Sequence, residues 1–141
     1  MPSARTTKLT IQTRGAKDVV DLTGELSRLV ESAKIEEGTV HLFAVGSTCA
    51  LTTLENEDGL LQDFQKVLDR LVPPTDDYAH AQTGGDDNAP SHIWASLIGP
   101  SLTIPVVGGR LALGTWQQAV LVELDFRPRR REVVVQLVPF P

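Results

Sequence analysis

An α+β fold with largely antiparallel sheets is what this sequence predicts, and three observations carry the expectation. Runs with strand character lie at both ends of the chain. Two segments between them repeat leucines and valines at helical spacing. Gly108-Gly109 joins two further strand-like runs as a hairpin turn. Strands at both ends with about three helices inserted between them describe an α+β domain. At 141 residues a single domain spanning 1–141 is expected.

Residues 8–14 (Lys8-Leu9-Thr10-Ile11-Gln12-Thr13-Arg14) alternate apolar and polar, as a half-buried strand does. Gly15-Ala16-Lys17-Asp18 reads as a turn, and Val19-Val20 as a short second strand. Leu22, Leu26, Leu29, Val30 and Ala33 mark one face of a helix over 23–34, with Asp21 or Thr23 available as N-cap. Residues 39–45 are rich in β-formers and follow Gly38. Gly46-Ser47-Thr48 interrupts that run, and 49–54 resume an extended pattern.

Glu55-Asn56-Glu57-Asp58 forms a polar corner able to cap a second helix, whose apolar face is Leu60, Leu61, Phe64, Val67, Leu68 and Leu71. Pro73-Pro74 stops it, because proline cannot continue the hydrogen-bond ladder. Residues 75–88 read as an Asp- and Gly-rich loop, and 91–98 as a short helix with Pro90 in its first turn. Gly99-Pro100 ends that helix. Residues 101–107, 110–113, 118–125 and 132–138 are strands, the last two flanking the turn Arg127-Pro128-Arg129-Arg130-Arg131.

Charge and composition exclude several classes. A net charge of -5 leaves no general basic face for nucleic acid. Hydrophobic residues at 41% and charged residues at 22% are those of an ordinary globular protein. Cys49 is alone, so no internal disulfide forms, and no basic neighbour in sequence activates its thiol. The start Met1-Pro2-Ser3-Ala4-Arg5 lacks a leader's apolar core. Between Asn88 and Gly109 there is no Asp, Glu, Lys or Arg, yet His92, Gly99, Pro100 and Pro105 break the run before it reaches a membrane span of about 20 residues. The expectation is a cytoplasmic protein with no membrane contact.

The densest chemistry lies in Asp86-Asp87-Asn88-Ala89-Pro90-Ser91-His92, with His80 upstream in Tyr78-Ala79-His80. Histidine carries protons near neutral pH and is the commonest metal ligand. His80 and His92 are twelve positions apart, which matches no zinc-finger or single-helix motif, so a site and a pair of surface histidines both remain open. Asp86-Asp87-Asn88 offers oxygens to a hard cation or a cap to the next helix. Glu55 is either a general base in a cleft or a carboxylate favoured at a helix entry. Gly46-Ser47-Thr48 lets backbone amides approach an anion, or is a bulge. Trp116, between Thr115 and Gln117, suits a ring-shaped ligand, a subunit contact or the core. The terminal arginines hold phosphate or are solvated. His41, inside a strand, is read as structural.

Longer blocks resemble one family. Ser96-Leu97-Ile98-Gly99-Pro100-Ser101-Leu102-Thr103-Ile104-Pro105-Val106 is similar to its signature, as is Gly109-Arg110-Leu111-Ala112-Leu113-Gly114-Thr115-Trp116-Gln117-Gln118. Gly46-Ser47-Thr48-Cys49-Ala50-Leu51-Thr52-Thr53-Leu54-Glu55, Tyr78-Ala79-His80, Asp87-Asn88 with His92, and the ending from Arg127 to Gln136 fit as well. On these blocks the chain resembles the YjbQ family, associated with a secondary thiamine-phosphate synthase activity. Two departures from the family pattern are Cys49 and the lack of Trp before Asp86.

The resemblance implies a compact α+β homotrimer with a histidine site near subunit boundaries. It implies His80, His92, Asn88 and Glu55 as catalytic residues, and His80 and His92 as ligands of a divalent metal, zinc or magnesium. Ser47, Thr48, Thr115, Trp116, Gln117 and Arg130 would meet a small phosphorylated molecule. Two functions follow as expectations. One is a metal-assisted transferase joining phosphorylated pyrimidine and thiazole precursors. The other is a non-catalytic homotrimer that binds a metal ion or phosphorylated metabolite.

Overall fold

The computed structural model describes residues 3–141. Met1 and Pro2, at the head of the start tested for a leader, lie outside the described residues. The strands are β1 (Arg5–Gln12), β2 (Val19–Asp21), β3 (Gly38–Ala44), β4 (Cys49–Leu54), β5 (Ser101–Val107), β6 (Arg110–Leu111), β7 (Gln118–Glu123) and β8 (Arg130–Pro139). The helices are α1 (Thr23–Ala33), α2 (Asp58–Leu71), α3 (His80–Thr83) and α4 (Ala89–Ile98). Among the described residues every strand pairing is antiparallel, in one sheet ordered β1-β8-β3-β5-β6 and another ordered β2-β7-β4.

The two sheets and the helices stack in layers. Val40, Leu42 and Ala44 of β3 and Val133, Val135 and Leu137 of β8 face Leu51, Ala119 and Leu121 of the smaller sheet, with Leu26 and Val30 of α1 in the same cluster. The far side of the smaller sheet, Ala50, Val120 and Val122, packs on Leu68 of α2 and on Trp94 and Ala95 of α4. β7 is therefore buried on both faces, and its sequence Gln-Ala-Val-Leu-Val-Glu loses the polar alternation of a half-exposed strand. Each Val or Leu side chain taken fully out of water there contributes about 1.5–3 kcal/mol.

Several local expectations meet their structures, with adjustments set by pairing. β1 begins three residues earlier than its alternation implies, because eight residues, Arg5 to Gln12, find partners along β8. Gly108 and Gly109 take φ of 57° and 77°, both positive, as a two-residue type I′ hairpin demands. Glu57 caps α2, its carboxylate accepting from the Gly59 and Leu60 N–H groups at 2.9 Å each, which lowers its pKa. For α1 the N-cap is Leu22 rather than Asp21 or Thr23. Asp21 still accepts from the Thr23 N–H at 2.9 Å, while the Thr23 hydroxyl is occupied by the Ala119 N–H. The supposed loop 75–88 contains α3, one turn closed by the Gly84 N–H on the His80 carbonyl. Arg130 and Arg131 belong to β8 and not to the preceding turn. No described helix is long and apolar enough to cross a membrane.

Candidate functional site

α3 and α4 bring His80, Asn88 and His92 together. Asn88 stands at the N-cap of α4, but its side chain caps nothing. Its Oδ1 lies 3.0 Å from His80 Nε2, a hydrogen bond in which the imidazole N–H donates. The His80 ring stands edge-on to the His92 ring, with centroids 5.1 Å apart and an interplanar angle of 76°. His80 also packs on Gly84, where any Cβ would fall 2.5 Å from Cε1 and 2.8 Å from Nδ1. The approach of α3 is tied down by Tyr78, whose hydroxyl donates to the Pro73 carbonyl at 2.7 Å.

His92 is the wall between two clefts. On one side a cavity of about 320 Å³ is lined by Tyr78, Ala79, His80, Ala89, His92 and Ile93. On the other, a cavity of about 200 Å³ is lined by Gly46, Ser47, Cys49, Ala95, Ser96 and Pro100 together with His92. Gly46 and Ser47 of the break thus line a cleft shared with His92. A third cavity nearby carries Asp76, Asp77 and Asp87, so the acidic loop lines a cleft of its own.

The remaining candidates lie elsewhere in the chain's fold. β4 and β7 pair from Cys49↔Glu123 at one end to Leu54↔Gln118 at the other. Five residue steps at about 3.3 Å each separate the ends by roughly 17 Å. Ser47 and Thr48 sit at the first end. Glu55, exposed, and the turn Thr115-Trp116-Gln117 sit at the second, where Gln117 Nε2 donates to Thr53 Oγ1 at 3.0 Å. Glu55 and Trp116 therefore stand apart from the histidine pair. Trp116 is 73% exposed, which removes the core-packing alternative. Arg130 is exposed on β8 beside Gln12. His41 bridges Thr39 and Thr103 on the exposed face of the larger sheet, at 3.0 and 2.9 Å.

A cluster that the sequence conceals lies under Gly46-Ser47-Thr48. Arg131, 7% exposed, donates from Nε to Glu123 Oε1 at 2.8 Å and from Nη2 to Glu123 Oε2. The same Nη2 donates to the Thr48 carbonyl at 3.0 Å and to Thr48 Oγ1 at 2.7 Å. Burial opposes the charge on Arg131, but the Glu123 hydrogen bonds outweigh it and raise the pKa. Burial also works against the Asp125 carboxylate, yet hydrogen bonds from Arg129, the Arg127 N–H and Thr48 hold it below the usual range. Burial pushes the Cys49 thiol up, despite the nearby Arg131. In sequence, Glu123 ends an apolar strand and Arg131 hides in an arginine run. The one available signal was a carboxylate inside a strand buried on both faces.

The donor set of this chain does not fit a metal. A catalytic zinc takes three protein ligands as a rule, and magnesium prefers oxygen. No group of three His, Cys, Asp or Glu able to hold an ion occurs among the described residues. His80 spends Nε2 on Asn88 and faces Gly84 with Nδ1, which leaves no nitrogen aimed at an ion shared with His92.

Comparison with known proteins agrees with this architecture. A family model described as UPF0047 protein YjbQ-like matches residues 7–139. A UPF0047 protein of Archaeoglobus fulgidus is 39% identical over 92% of this chain and 98% of its own length. The UPF0047 protein YjbQ of Escherichia coli O157:H7 is 34% identical over 94% and 95%. Among solved structures, a YbjQ-like protein of unknown function from Sulfolobus solfataricus P2 superposes with TM-score 0.91 at 30% identity, covering 98% of this chain and 99% of that one. A hypothetical protein from Aeropyrum pernix K1 gives TM-score 0.89 at 32% identity, over 96% and 99%. Full-length agreement in sequence and fold leaves one conclusion: the chain belongs to the YjbQ-like UPF0047 family.

Proposed function

We propose that this chain is a cytoplasmic transferase of the thiamine-phosphate synthase type, working on phosphorylated heterocycles at His92. One observation carries the reading: His92 is the common wall of two clefts that differ in character. The cleft with Tyr78, Ile93 and His80 suits a flat ring, and the one with Gly46, Ser47 and Ser96 suits a polar leaving group. In the reaction, a thiazole ring nitrogen attacks the methylene carbon of an aminopyrimidine methyl diphosphate. The C–N bond forms, the C–O bond breaks, and diphosphate leaves with its electron pair. His92 donates a proton to the departing oxygen, and His80, fixed by Asn88, holds the His92 ring in place.

The active unit in this reading is a homotrimer, in which the Glu55 and Trp116 end of one subunit reaches the histidine end of the next. The 73% exposure of Trp116 supports a contact there. The test is thiamine phosphate formation from the two precursors by wild type, His80→Ala and His92→Ala. A drop of about 10²-fold or more in His92→Ala is expected for loss of a general acid. Equal activity in all three proteins would sink the proposal. Light scattering tests the assembly, because a mass of 15.3 kDa is the monomer's.

A non-catalytic binding trimer is the second reading. It is favoured by the lack of a carboxylate on either cleft that His92 shares, since such a group would orient the imidazole as a base. Under it, wild type binds a phosphorylated metabolite and forms no product.

A further inference from the structure

The cleft beside Gly46 and Ser47 is small, carries no carboxylate, and is walled by His92. The cleft lined by Asp76, Asp77 and Asp87 shares no residue with it and would repel an anion. Beneath the first cleft lies a buried ion pair. Glu123 is fully buried and Arg131 is 7% exposed, under a loop at the surface. Buried pairs of this kind contribute little to stability, because desolvation consumes most of their attraction. This one has a different consequence. Nη2 of Arg131 grips the carbonyl and hydroxyl of Thr48 and so fixes the path of Gly46-Ser47. Nη1 engages neither Glu123 nor Thr48 and comes to 2.9 Å from the place of a Gly46 Cβ, against the cleft wall.

We propose that the cleft between Gly46-Ser47 and His92 seats a phosphate or diphosphate group, with Arg131 as the positioning residue that shapes its wall. The assignment rests on the phosphorylated-ligand reading above and specifies where the anion sits. His92 and the Ser47 hydroxyl donate to the anion, while Thr48 turns its own hydroxyl inward to Asp125 and Arg131. Glu123 balances the charge of Arg131, so the guanidinium contributes geometry rather than net attraction. A side chain at Gly46 would displace Nη1.

Inorganic pyrophosphate is the probe, followed by calorimetry and by NMR of the His92 ring and backbone amides. In wild type, pyrophosphate is expected to shift His92 and the amides of Ser47 and Thr48. The double variant Glu123→Met/Arg131→Met removes both charges together. Because it also strips partners from Thr13, the Asp125 N–H and Thr48, it should melt below wild type, while the folded protein's pyrophosphate affinity falls about tenfold or more. Ser47→Ala, at an exposed position, serves if the double variant fails to fold, and should lose affinity severalfold. A folded double variant, or Ser47→Ala, binding as tightly as wild type overturns the proposal. Shifts confined to residues 115–117 overturn the subsite but leave the phosphorylated-ligand reading standing. Wild type that binds no pyrophosphate at millimolar concentration overturns both.

Discussion

Trp94→Phe tests how α4 is fixed. Trp94 is fully buried, and its Nε1–H donates to the Leu68 carbonyl of α2 at 2.7 Å. Lys17 Nζ lies 4.9 Å above its ring, and Phe126 meets it edge-on at 6.2 Å. Phenylalanine keeps one ring and loses the N–H. The Leu68 carbonyl still accepts from the Val72 N–H at 3.0 Å, so the lost hydrogen bond falls at the low end of its range, about 1 kcal/mol. The smaller ring leaves a void of about 40 Å³, worth about 1 kcal/mol at 24 cal/mol per Å³. A weaker cation–π contact adds about 0.5 kcal/mol. The sum is about 2–3 kcal/mol. With an unfolding entropy of about 2.1 cal/mol/K per residue, 141 residues give about 0.3 kcal/mol/K, and the melting point should fall by about 7–10 °C. Calorimetry at matched protein concentration measures it. A fall below about 2 °C would mean that Trp94 does not anchor the helix as described.

Acid should act through Asp125. Its folded pKa is lowered, so its contribution is complete above the unfolded value of about 3.9 and is lost as pH falls through the folded value. Asp125→Asn should therefore be less stable at pH 7 and lose less between pH 5 and pH 2; parallel urea midpoints over that range would contradict this. Gly84→Ala should displace the His80 ring, because a Cβ there would stand 2.5 Å from its Cε1. NMR should show His80 and His92 ring signals moving while the amides of β7 stay; unchanged ring signals would refute the packing. Cys49 is 1% exposed with its thiol pKa pushed up by burial, so a disulfide reagent should label it only on unfolding. Stoichiometric labelling of native protein within minutes would contradict that burial.

Much of the fold was legible because periodicity and turn chemistry are local. The leucine spacing of α1 and α2, the double glycine of the hairpin and the proline stop after α2 act within a few residues. The limits of β1 were not, since pairing with β8 sets them across the length of the chain. α3 escaped because four residues are too few to show a period. For the site, the short range worked again: Asn88 and His92 lie on one helix turn, and His80 enters through the turn before it. The split between the histidines and the Trp116 turn could not be read, because it depends on which ends of β4 and β7 meet. Arg131 was hidden for the same reason: only the fold separates it from its solvated neighbours.

The place of β8 has a consequence for how the protein is made. It follows every other described strand along the chain, yet it lies between β1 and β3 in the larger sheet. Until residues 130–139 emerge, β1 has no partner in the sheet and β3 is paired only on its β5 side, so the edge that β8 fills stays open. The helices and the β3–β5 pair can form earlier, but β1 joins the larger sheet only once β8 has emerged. A nascent chain stalled before β8 is thus a sticky, open intermediate. Any chaperone that holds exposed strands has its longest opportunity while β1 waits for β8.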